Sequence, residues 1–320
     1  AIVVGRGSSS MGESIDGGDG TDTLYFIGGT SRDLLTLGPV RNLEFVRIVD
    51  AGFSSAGTRA LSVDASGAVV AIGNTLTIVG NDGSNTLTGT RFADVLEGGG
   101  GGDTLIGGSG DDSLFGGAGG DVMQGGAGND VFFDIAAGDQ VYGGRDADAI
   151  ALSGAAQVLD LTTMGLGTTT RIVGVERIDI TGSGDNELRL SVASVTAISG
   201  AVPLRIDGDA GDRVSSEDTW IEGGTSDGYV TFTSGGATVQ VQAGVSAFVT
   251  FVVSEASGGV SFSGSATGDI TVSWSGASGD SVATFTRSGI TAANKPDFAG
   301  TAARIELGPD QTLAGQAAGL

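Results

Sequence analysis

Apolar residues recur at every ninth position in the middle of the chain. From Gly80 to Ala151 the sequence divides into eight consecutive nonapeptides without an insertion, and the eighth position of each is Leu, Met, Phe, Val or Ile. Residues seven to nine of each unit predict a short strand whose eighth side chain faces inward, because side chains alternate between the two faces of a strand. A unit this short buries its apolar side only against its neighbours, so the period predicts a stacked repeat fold.

The first six residues of each unit form a turn that ends in a polar side chain. Four central units read GGGGGDTLI, GGSGDDSLF, GGAGGDVMQ and GGAGNDVFF. Their glycines can adopt positive φ angles, so the chain turns tightly and exposes its carbonyl groups. One unit therefore predicts half of a coil, and two units predict a coil of 18 residues with parallel sheets on both sides. The sixth position is Asn85 in the first unit and aspartate in the other seven.

The segments on either side of the repeats resemble each other. Residues 43–50 align with residues 173–180, so that Arg47 matches Arg177, and residues 74–85 align with residues 202–213. This similarity indicates a duplicated module. We expect the solenoid to continue through both flanks in longer, uneven coils.

The pattern changes after residue 226, where short segments alternate strictly between apolar and polar side chains. Such segments at regular spacing predict antiparallel strands. The predicted fold is therefore all-β: a parallel β-roll or β-solenoid with irregular flanking coils and a C-terminal, sandwich-like antiparallel segment. The predicted divisions are residues 1–79 (first copy of the duplicated module), 80–151 (nonapeptide block), 152–226 (second copy) and 227–320 (antiparallel region, ending in an incomplete tandem domain).

Charge and composition restrict the chemistry. The chain has 38 acidic and 15 basic residues, a net charge of −23, which repels nucleic acid and anionic lipid. It contains no Cys and no His, which excludes disulfides, histidine zinc sites and a Ser-His-Asp triad. No apolar run approaches the ~18 residues of a membrane span. We expect no nucleic-acid partner, no membrane insertion, and a hard, oxygen-bound cation if a metal binds.

The nonapeptides resemble the GGxGxDxUx calcium-binding repeats of RTX proteins, which type I secretion exports from Gram-negative bacteria. The resemblance covers residues 80–151. It implies that each Ca²⁺ lies between the turns of units n and n+2, where aspartate carboxylates and turn carbonyls bind it. The implied ligands are Asp94, Asp103, Asp112, Asp121, Asp130, Asp139 and Asp148, with Gly99, Gly101, Gly108, Gly110, Gly117, Gly119, Gly126 and Gly128 in the turns.

The implied sites differ in how well their turns keep the glycines. The best matches pair Asp103 with Asp121 and Asp112 with Asp130. The pairs Asp94–Asp112, Asp121–Asp139 and Asp130–Asp148 include the departing turns GTRFAD, DIAAGD and GGRDAD and are expected to be weaker.

One isolated unit, GGDGTDTLY at residues 17–25, adds Asp22, with Glu13 as its candidate partner. The alternative, that all these aspartates are only solvated turn residues, is disfavoured. Seven acids and no base lie between residues 98 and 142, and such a ladder repels itself without a cation.

The function follows as an expectation. Residues 175–195 and 205–214 resemble modules of very large RTX adhesins. The chain has neither a GxxxxGK motif nor the His of a Ser-His-Asp triad, so we expect no enzyme. We expect a calcium-binding structural module of a secreted or cell-surface protein, folding on extracellular calcium and supporting adhesion or surface-layer assembly, with other surface proteins or glycans as candidate partners. The alternatives are a secretion module of an exported hydrolase whose catalytic domain lies outside this segment, and a sugar- or ice-binding module.

Overall fold

A computed structural model describes most of the chain. It leaves out residues 1, 6–8, 12–14, 28–32, 50–53, 69–74, 163–170, 219, 250–251, 255–258, 266–269, 275–280, 287–288 and 291–320, together with the side chains of residues 2–14, residue 246 and all residues from 248 onward.

The described residues form 32 strands and one helix. In chain order the strands are β1 Ile2–Gly5, β2 Ser9–Met11, β3 Ile15–Asp16, β4 Thr23–Ile27, β5 Leu34–Leu37, β6 Val40–Arg41, β7 Phe45–Ile48, β8 Ser62–Asp64, β9 Leu76–Val79, β10 Thr86–Thr88, β11 Asp94–Gly100, β12 Thr104–Ser109, β13 Ser113–Ala118, β14 Val122–Ala127, β15 Val131–Phe133, β16 Gln140–Arg145, β17 Ala149–Ala151, β18 Val158–Asp160, β19 Arg171–Val173, β20 Arg177–Asp179, β21 Glu187–Arg189, β22 Leu204–Asp207, β23 Arg213–Ser215, β24 Ile221–Ser226, β25 Tyr229–Ser234, β26 Ala237–Gln242, β27 Ser246–Val249, β28 Val252–Ser254, β29 Gly259–Ser265, β30 Ile270–Trp274, β31 Ser281–Thr286 and β32 Gly289–Ile290. The helix α1, Val192–Ser199, lies between β21 and β22.

The strands build three large sheets and one small one. The first sheet has 13 strands in the order β1-β4-β7-β9-β11-β13-β15-β17-β20-β22-β26-β25-β24, and the second has eight in the order β19-β16-β14-β12-β10-β8-β5-β2. A third sheet of nine strands runs β18-β21-β23-β27-β29-β30-β31-β32, with β28 paired to β29, and β3 pairs with β6. Consecutive nonapeptides alternate between the second and first sheets, which confirms that each unit is half of a coil.

The coils are regular only in the nonapeptide block. Here Leu87 pairs in parallel with Leu105, and Leu96 pairs with Leu114, one coil of two nonapeptides later. In the flanks the pairing stays parallel but the coils lengthen: Val46 pairs with Ile78, and Ile206 pairs with Val241. The predicted β-solenoid with longer, uneven flanking coils is therefore confirmed.

A single apolar core runs through all the coils. The eighth-position side chains of the block all have zero exposure and lie in one cluster with the buried side chains of the flanks. They are Leu87, Leu96, Leu105, Leu114, Met123, Phe132, Val141 and Ile150. The two-residue periodicity of each short strand places these side chains inside, because the seventh and ninth positions face outward.

The helix α1 is the one element type that the sequence analysis did not anticipate. Its first turn is capped by Ser191, whose side chain accepts the amide of Ser194, while the Ser194 hydroxyl accepts the amide of Ser191. Val195 and Ile198 are buried in the common core. A long coil can thus replace a strand with a helix provided that the helix supplies core side chains.

Antiparallel pairing begins at the C-terminal edge of the first sheet. Strand β25 pairs antiparallel with both β24 and β26, and β29 to β32 are also antiparallel. However, β26 pairs in parallel with β22, and β27 pairs in parallel with β23, so the solenoid coil extends past residue 227. The division of the chain into domains stays a prediction.

Candidate metal centre

The sixth-position residues of the nonapeptides stack in two columns along the coils. Each side chain after the first of its column accepts a hydrogen bond from the backbone amide of the equivalent residue one coil earlier. The amide of Asp94 bonds Asp112 at 2.8 Å, and the amide of Asp103 bonds Asp121 at 2.7 Å. One column contains Asn85, Asp103, Asp121 and Asp139, and the other contains Asp94, Asp112, Asp130 and Asp148.

The second carboxylate oxygen has no hydrogen-bond partner in five of these aspartates. The Oδ2 atoms of Asp103, Asp112, Asp121, Asp130 and Asp148 are buried and unpaired. All seven column aspartates are at most 2% exposed. A buried anionic oxygen without a partner is costly, so each of these atoms is suited to a cation. The residues present therefore fit an oxygen-bound metal.

In each of the five units whose aspartate has this unpaired oxygen, the first residue is a glycine that makes room for it. A Cβ atom at Gly107 would lie 2.3 Å from Oδ2 of Asp112, and one at Gly125 would lie 2.2 Å from Oδ2 of Asp130. Any side chain at the first position would therefore displace the carboxylate. Glycine occurs at the first position because the carboxylate of the aspartate five residues later occupies the space that a side chain would need.

The eight turn glycines predicted as carbonyl ligands all have positive φ angles. Their carbonyls point at the next coil: a Cβ atom at Gly117 would lie 2.1 Å from the oxygen of Gly99, and one at Gly126 would lie 2.2 Å from the oxygen of Gly108. The spaces between stacked turns are thus lined by carbonyl and carboxylate oxygens. Calcium is bound by such oxygens in flexible geometry.

Burial raises the pKa of the column carboxyls. The pKa of Asp112 is raised to about 8, mainly by burial and further by the charges of Asp94, Asp130 and Asp111. Burial likewise raises the pKa of Asp103 to about 7 and that of Asp148 to about 7. Because burial and like charges disfavour the ionised form, the fold without a bound cation opposes the charge that these residues carry in water.

Among the described residues, no basic side chain forms an ion pair with these acids. None of the ion pairs in the described part of the chain involves a column aspartate. Nor do three or more acidic side chains cluster at one point among the described residues. A cation in a column would therefore bind at most a pair of carboxylates and would take its other ligands from turn carbonyls.

The three departing turns differ from one another. Turn 143–148 keeps the backbone conformation of the four central turns, which have positive φ angles at the second and fourth positions. Here Gly144 has a φ of 126° at the second position, and Asp146 has a φ of 75° at the fourth. In turn 134–139 the amide of Ala136 bonds Asp139 at 2.7 Å. In turn 89–94 the amide of Thr90 bonds one oxygen of Asp94, while the other oxygen is buried without a partner.

The isolated unit at residues 17–25 has a different environment. Asp22 is half-buried, and its amide donates to Glu44 at 2.8 Å. Its predicted partner Glu13 lies outside the described residues. Asp22 is not among the buried, unpartnered carboxylates, so the structure gives it none of the features that mark the block.

In two places a glutamate of the next coil accepts the amide of a sixth-position aspartate, and the sequence analysis missed both glutamates. Glu176 accepts the amide of Asp148 at 3.0 Å, as Glu44 accepts that of Asp22. Each glutamate stands directly before a strand of the first sheet, so Phe45 and Arg177 are equivalent. The sequence alignment pairs Arg177 with Arg47, which lies two residues after its structural equivalent. The signal in the sequence is an apolar residue followed by Glu before each strand.

Together, these features define a parallel β-solenoid with glycine-aspartate turns suited to oxygen-bound cations. Residues 79–114, 97–132 and 115–150 each match the family model of the RTX calcium-binding nonapeptide repeat (4 copies). The chain thus carries RTX repeats over residues 79–150, and these repeats bind Ca²⁺, which confirms the type of repeat and the cofactor predicted from the sequence.

RTX repeats are structural rather than catalytic and are typical of secreted proteins. No curated protein matches the chain. Within the part of the chain that the structure describes, no helix is long and apolar enough to cross a membrane.

Proposed function

We propose that this chain is a calcium-folded structural module of a secreted or cell-surface bacterial protein, in which it supports adhesion or surface-layer assembly. The observation that carries the proposal is the row of buried carboxylate oxygens without partners in Asp103, Asp112, Asp121, Asp130 and Asp148. These residues, with the carbonyls of the turn glycines, would hold the calcium ions. Bound calcium supplies the positive charge that the block itself lacks.

Calcium binding would be strongly coupled to folding. The columns form only when successive coils stack, because each carboxylate bonds an amide of the previous coil. A ligand that binds only the folded state stabilises it by RT ln(1 + [L]/Kd), about 2.7 kcal/mol when its concentration is 100 times Kd. Two such sites supply about 5 kcal/mol, which is comparable to the total stability of a small domain.

This coupling matches export in the unfolded state. Cytoplasmic calcium is too low to fill sites of sensor-like affinity, which bind in the range of about 10⁻⁷–10⁻⁵ M, whereas extracellular calcium fills them. The block would stay open before export because its carboxylates are buried together without a base, and it would fold outside. No disulfide is needed, and the chain has no cysteine.

A role in a long surface structure is supported by the architecture. The first sheet has 13 strands and continues on both sides of the nonapeptide block, so the solenoid is an elongated stack. The similar flanks indicate duplication of a building unit. Such an arrangement suits a spacer or lattice element, for which partners on the outside are surface proteins or glycans.

The test is a calcium titration of the purified chain, followed by far-ultraviolet circular dichroism. We expect strand signal to rise with calcium at micromolar to millimolar concentrations and to be lost with a chelator. Magnesium should substitute poorly, because it demands short octahedral bonds that carbonyl-lined turns do not supply. A spectrum that does not change between chelator and millimolar calcium would refute the proposal.

A further inference from the structure

We infer that the two aspartate columns bind calcium over unequal lengths: one continues to Asp148, whereas the other ends at Asp121. This inference rests on the proposed calcium function. The reason is local to each turn. A turn closes without a cation when its own backbone amide bonds the sixth-position side chain and no oxygen of that side chain stays unpaired. A turn requires a cation when none of its amides bonds the sixth-position carboxylate.

Five turns of the block are open in this sense. In each, the second residue is a glycine with a positive φ angle, and no amide of the turn bonds the second carboxylate oxygen. The open turns end in Asp103, Asp112, Asp121, Asp130 and Asp148. Each carboxylate is at most 1% exposed, so bulk solvent does not reach its unpaired oxygen.

Three other turns are closed. The amide of Asn81 bonds the side chain of Asn85 at 2.8 Å, that of Ala136 bonds Asp139 at 2.7 Å, and that of Asp209 bonds Asp212 at 2.7 Å. None of the three sixth-position side chains has an unpaired buried oxygen. An amide N–H supplies the positive partner that a cation supplies elsewhere, and a hydrogen bond to a charged group is a strong one.

Asp139 and Asp148 show the contrast most clearly, since each is the last aspartate of its column. One oxygen of each accepts an amide from the previous coil at 2.9 Å, from Asp121 and Asp130 respectively. The other oxygen of Asp139 is bonded by Ala136, whereas that of Asp148 is buried without a partner. From sequence, both had been expected to form weak outer sites.

Open turns therefore face each other in three pairs, Asp103–Asp121, Asp112–Asp130 and Asp130–Asp148. The pair Asp121–Asp139 is excluded because one of its turns is closed. Turn 89–94 is intermediate, because Thr90 bonds one oxygen of Asp94 and leaves the other unpaired. The number of calcium ions that the block binds is therefore set by the individual turns and not by the number of nonapeptides.

The test counts bound calcium ions by native mass spectrometry of the whole chain, with Ca²⁺ just sufficient to saturate the wild type. Three variants replace an aspartate by asparagine, which already stands at the sixth position as Asn85 and Asn186. We expect Asp139→Asn to lose no ion, Asp148→Asn to lose one, and Asp130→Asn to lose two because it serves two pairs.

The outcomes separate the inference from the proposed function. A wild-type chain that binds no calcium would overturn the proposed function itself. Binding by the wild type, with loss of one ion in Asp139→Asn or no loss in Asp148→Asn, would overturn the unequal columns alone. Circular dichroism at millimolar calcium checks that each variant is folded.

A gain of binding keeps the inference testable if a variant does not fold. Two substitutions, Thr90→Gly and Phe92→Asp, convert the turn GTRFAD into GGRDAD, the sequence of the open turn 143–148. We expect the double variant to bind one ion more than the wild type, through the pair Asp94–Asp112. The control Phe92→Asp alone keeps the amide of Thr90 on Asp94 and should bind the wild-type number. An unchanged count in the double variant would contradict the role of the second turn residue.

Discussion

The nonapeptide block and the coils that follow it solve the same electrostatic problem in two ways. Residues 98–142 contain seven acids and no base, whereas residues 171–215, here called the C-terminal flank, contain five arginines with seven acids. Both regions stack parallel strands of the first sheet on one continuous core. The difference is therefore not in the fold but in where the positive charge comes from.

In the C-terminal flank the charge comes from side chains. Arg177 pairs with Asp179 and Asp207, and Glu187 pairs with Arg189 at 3.0 Å and Arg213 at 2.7 Å. The arginine side chains of these pairs are about half exposed. They join neighbouring coils, as Arg177 and Asp207 belong to adjacent strands β20 and β22.

One sixth-position residue of the flank, Asn186, is also an amide instead of an acid. Asn186 accepts the amide of Gln157 at 2.8 Å and donates from its amide group to the carbonyl of Ile180 at 2.9 Å. An amide side chain is both donor and acceptor, whereas a carboxylate only accepts. Asparagine therefore satisfies a turn that would otherwise present two acceptors to each other. From this comparison we infer that a coil of this chain requires calcium only where neither an amide nor an arginine donates a hydrogen bond to its acidic side chains.

The pKa values of carboxyl groups shift in opposite directions in the block and in the flank. Burial raises the pKa of the Asp130 carboxyl to about 6 in the block. In the flank, hydrogen bonds from Arg189, and also from Arg213 and Ser215, lower the pKa of Glu187 to about 2 despite partial burial. The folded flank favours its charged groups, and the folded block opposes them until a cation binds.

Removing calcium should give the largest effect, and it should be confined to one region. With a chelator present, we expect amide hydrogens of residues 98–148 to exchange as in an unfolded chain, because the unpaired carboxylates repel each other. Peptides from residues 177–189 and 204–215 should stay protected. Hydrogen–deuterium exchange with mass spectrometry measures both regions in one sample. Equal loss of protection in both would break the comparison.

Core truncation should respond differently to calcium in the two regions. Phe132→Ala removes a fully buried ring and should destabilise the calcium-loaded block by about 3–5 kcal/mol. The matched variant Ile178→Ala should cost the flank about 2–5 kcal/mol. Without calcium, only Ile178→Ala should still change the denaturation midpoint. A calcium-independent cost of Phe132→Ala would show that the block folds without metal.

Exchanging aspartate and asparagine at the sixth position, in the block and in the flank, should have the next largest effect on stability. Asn186→Asp removes the donor to the carbonyl of Ile180 and buries a carboxylate, which should destabilise the flank by about 1–3 kcal/mol with or without calcium. The opposite change, Asp121→Asn, should weaken calcium binding and lower the stability of the block with calcium, and should leave the denaturation midpoint in chelator unchanged. Urea denaturation of both variants, with calcium and with chelator, is the measurement. A calcium-dependent cost of Asn186→Asp would mean that this turn also binds the ion.

The smallest effect concerns the pH dependence of the flank. Because the pKa of Glu187 lies below its ordinary value of 4.5, its contribution is present above that pH and is lost as the pH falls toward 2. Its arginine partners are about half exposed, so Glu187→Gln should cost at most about 1 kcal/mol at pH 7. Denaturation of the calcium-free protein at pH 7 and pH 3 tests this. A difference between variant and wild type that does not shrink at pH 3 would contradict the assignment.

The sequence alone determined the repeating part of this protein. Positions six and eight of each nonapeptide predicted the aspartate columns and the core, from Leu87 to Ile150, and both are confirmed by the coil register and burial. These features could be predicted because they depend on local rules. A glycine turn, a two-residue strand period and a fixed unit length place every side chain relative to its neighbours in the chain.

The tertiary structure alone decided how each turn and flanking coil is satisfied. It showed that turn 143–148 is open because Asp146 adopts a positive φ, that Asp139 is closed by Ala136, and that Arg177 reaches Asp207. It also placed Ala237–Gln242 in the parallel sheet and Val192–Ser199 in a helix. None of these follows from the nine-residue period, because each depends on which atoms meet across coils of unequal length.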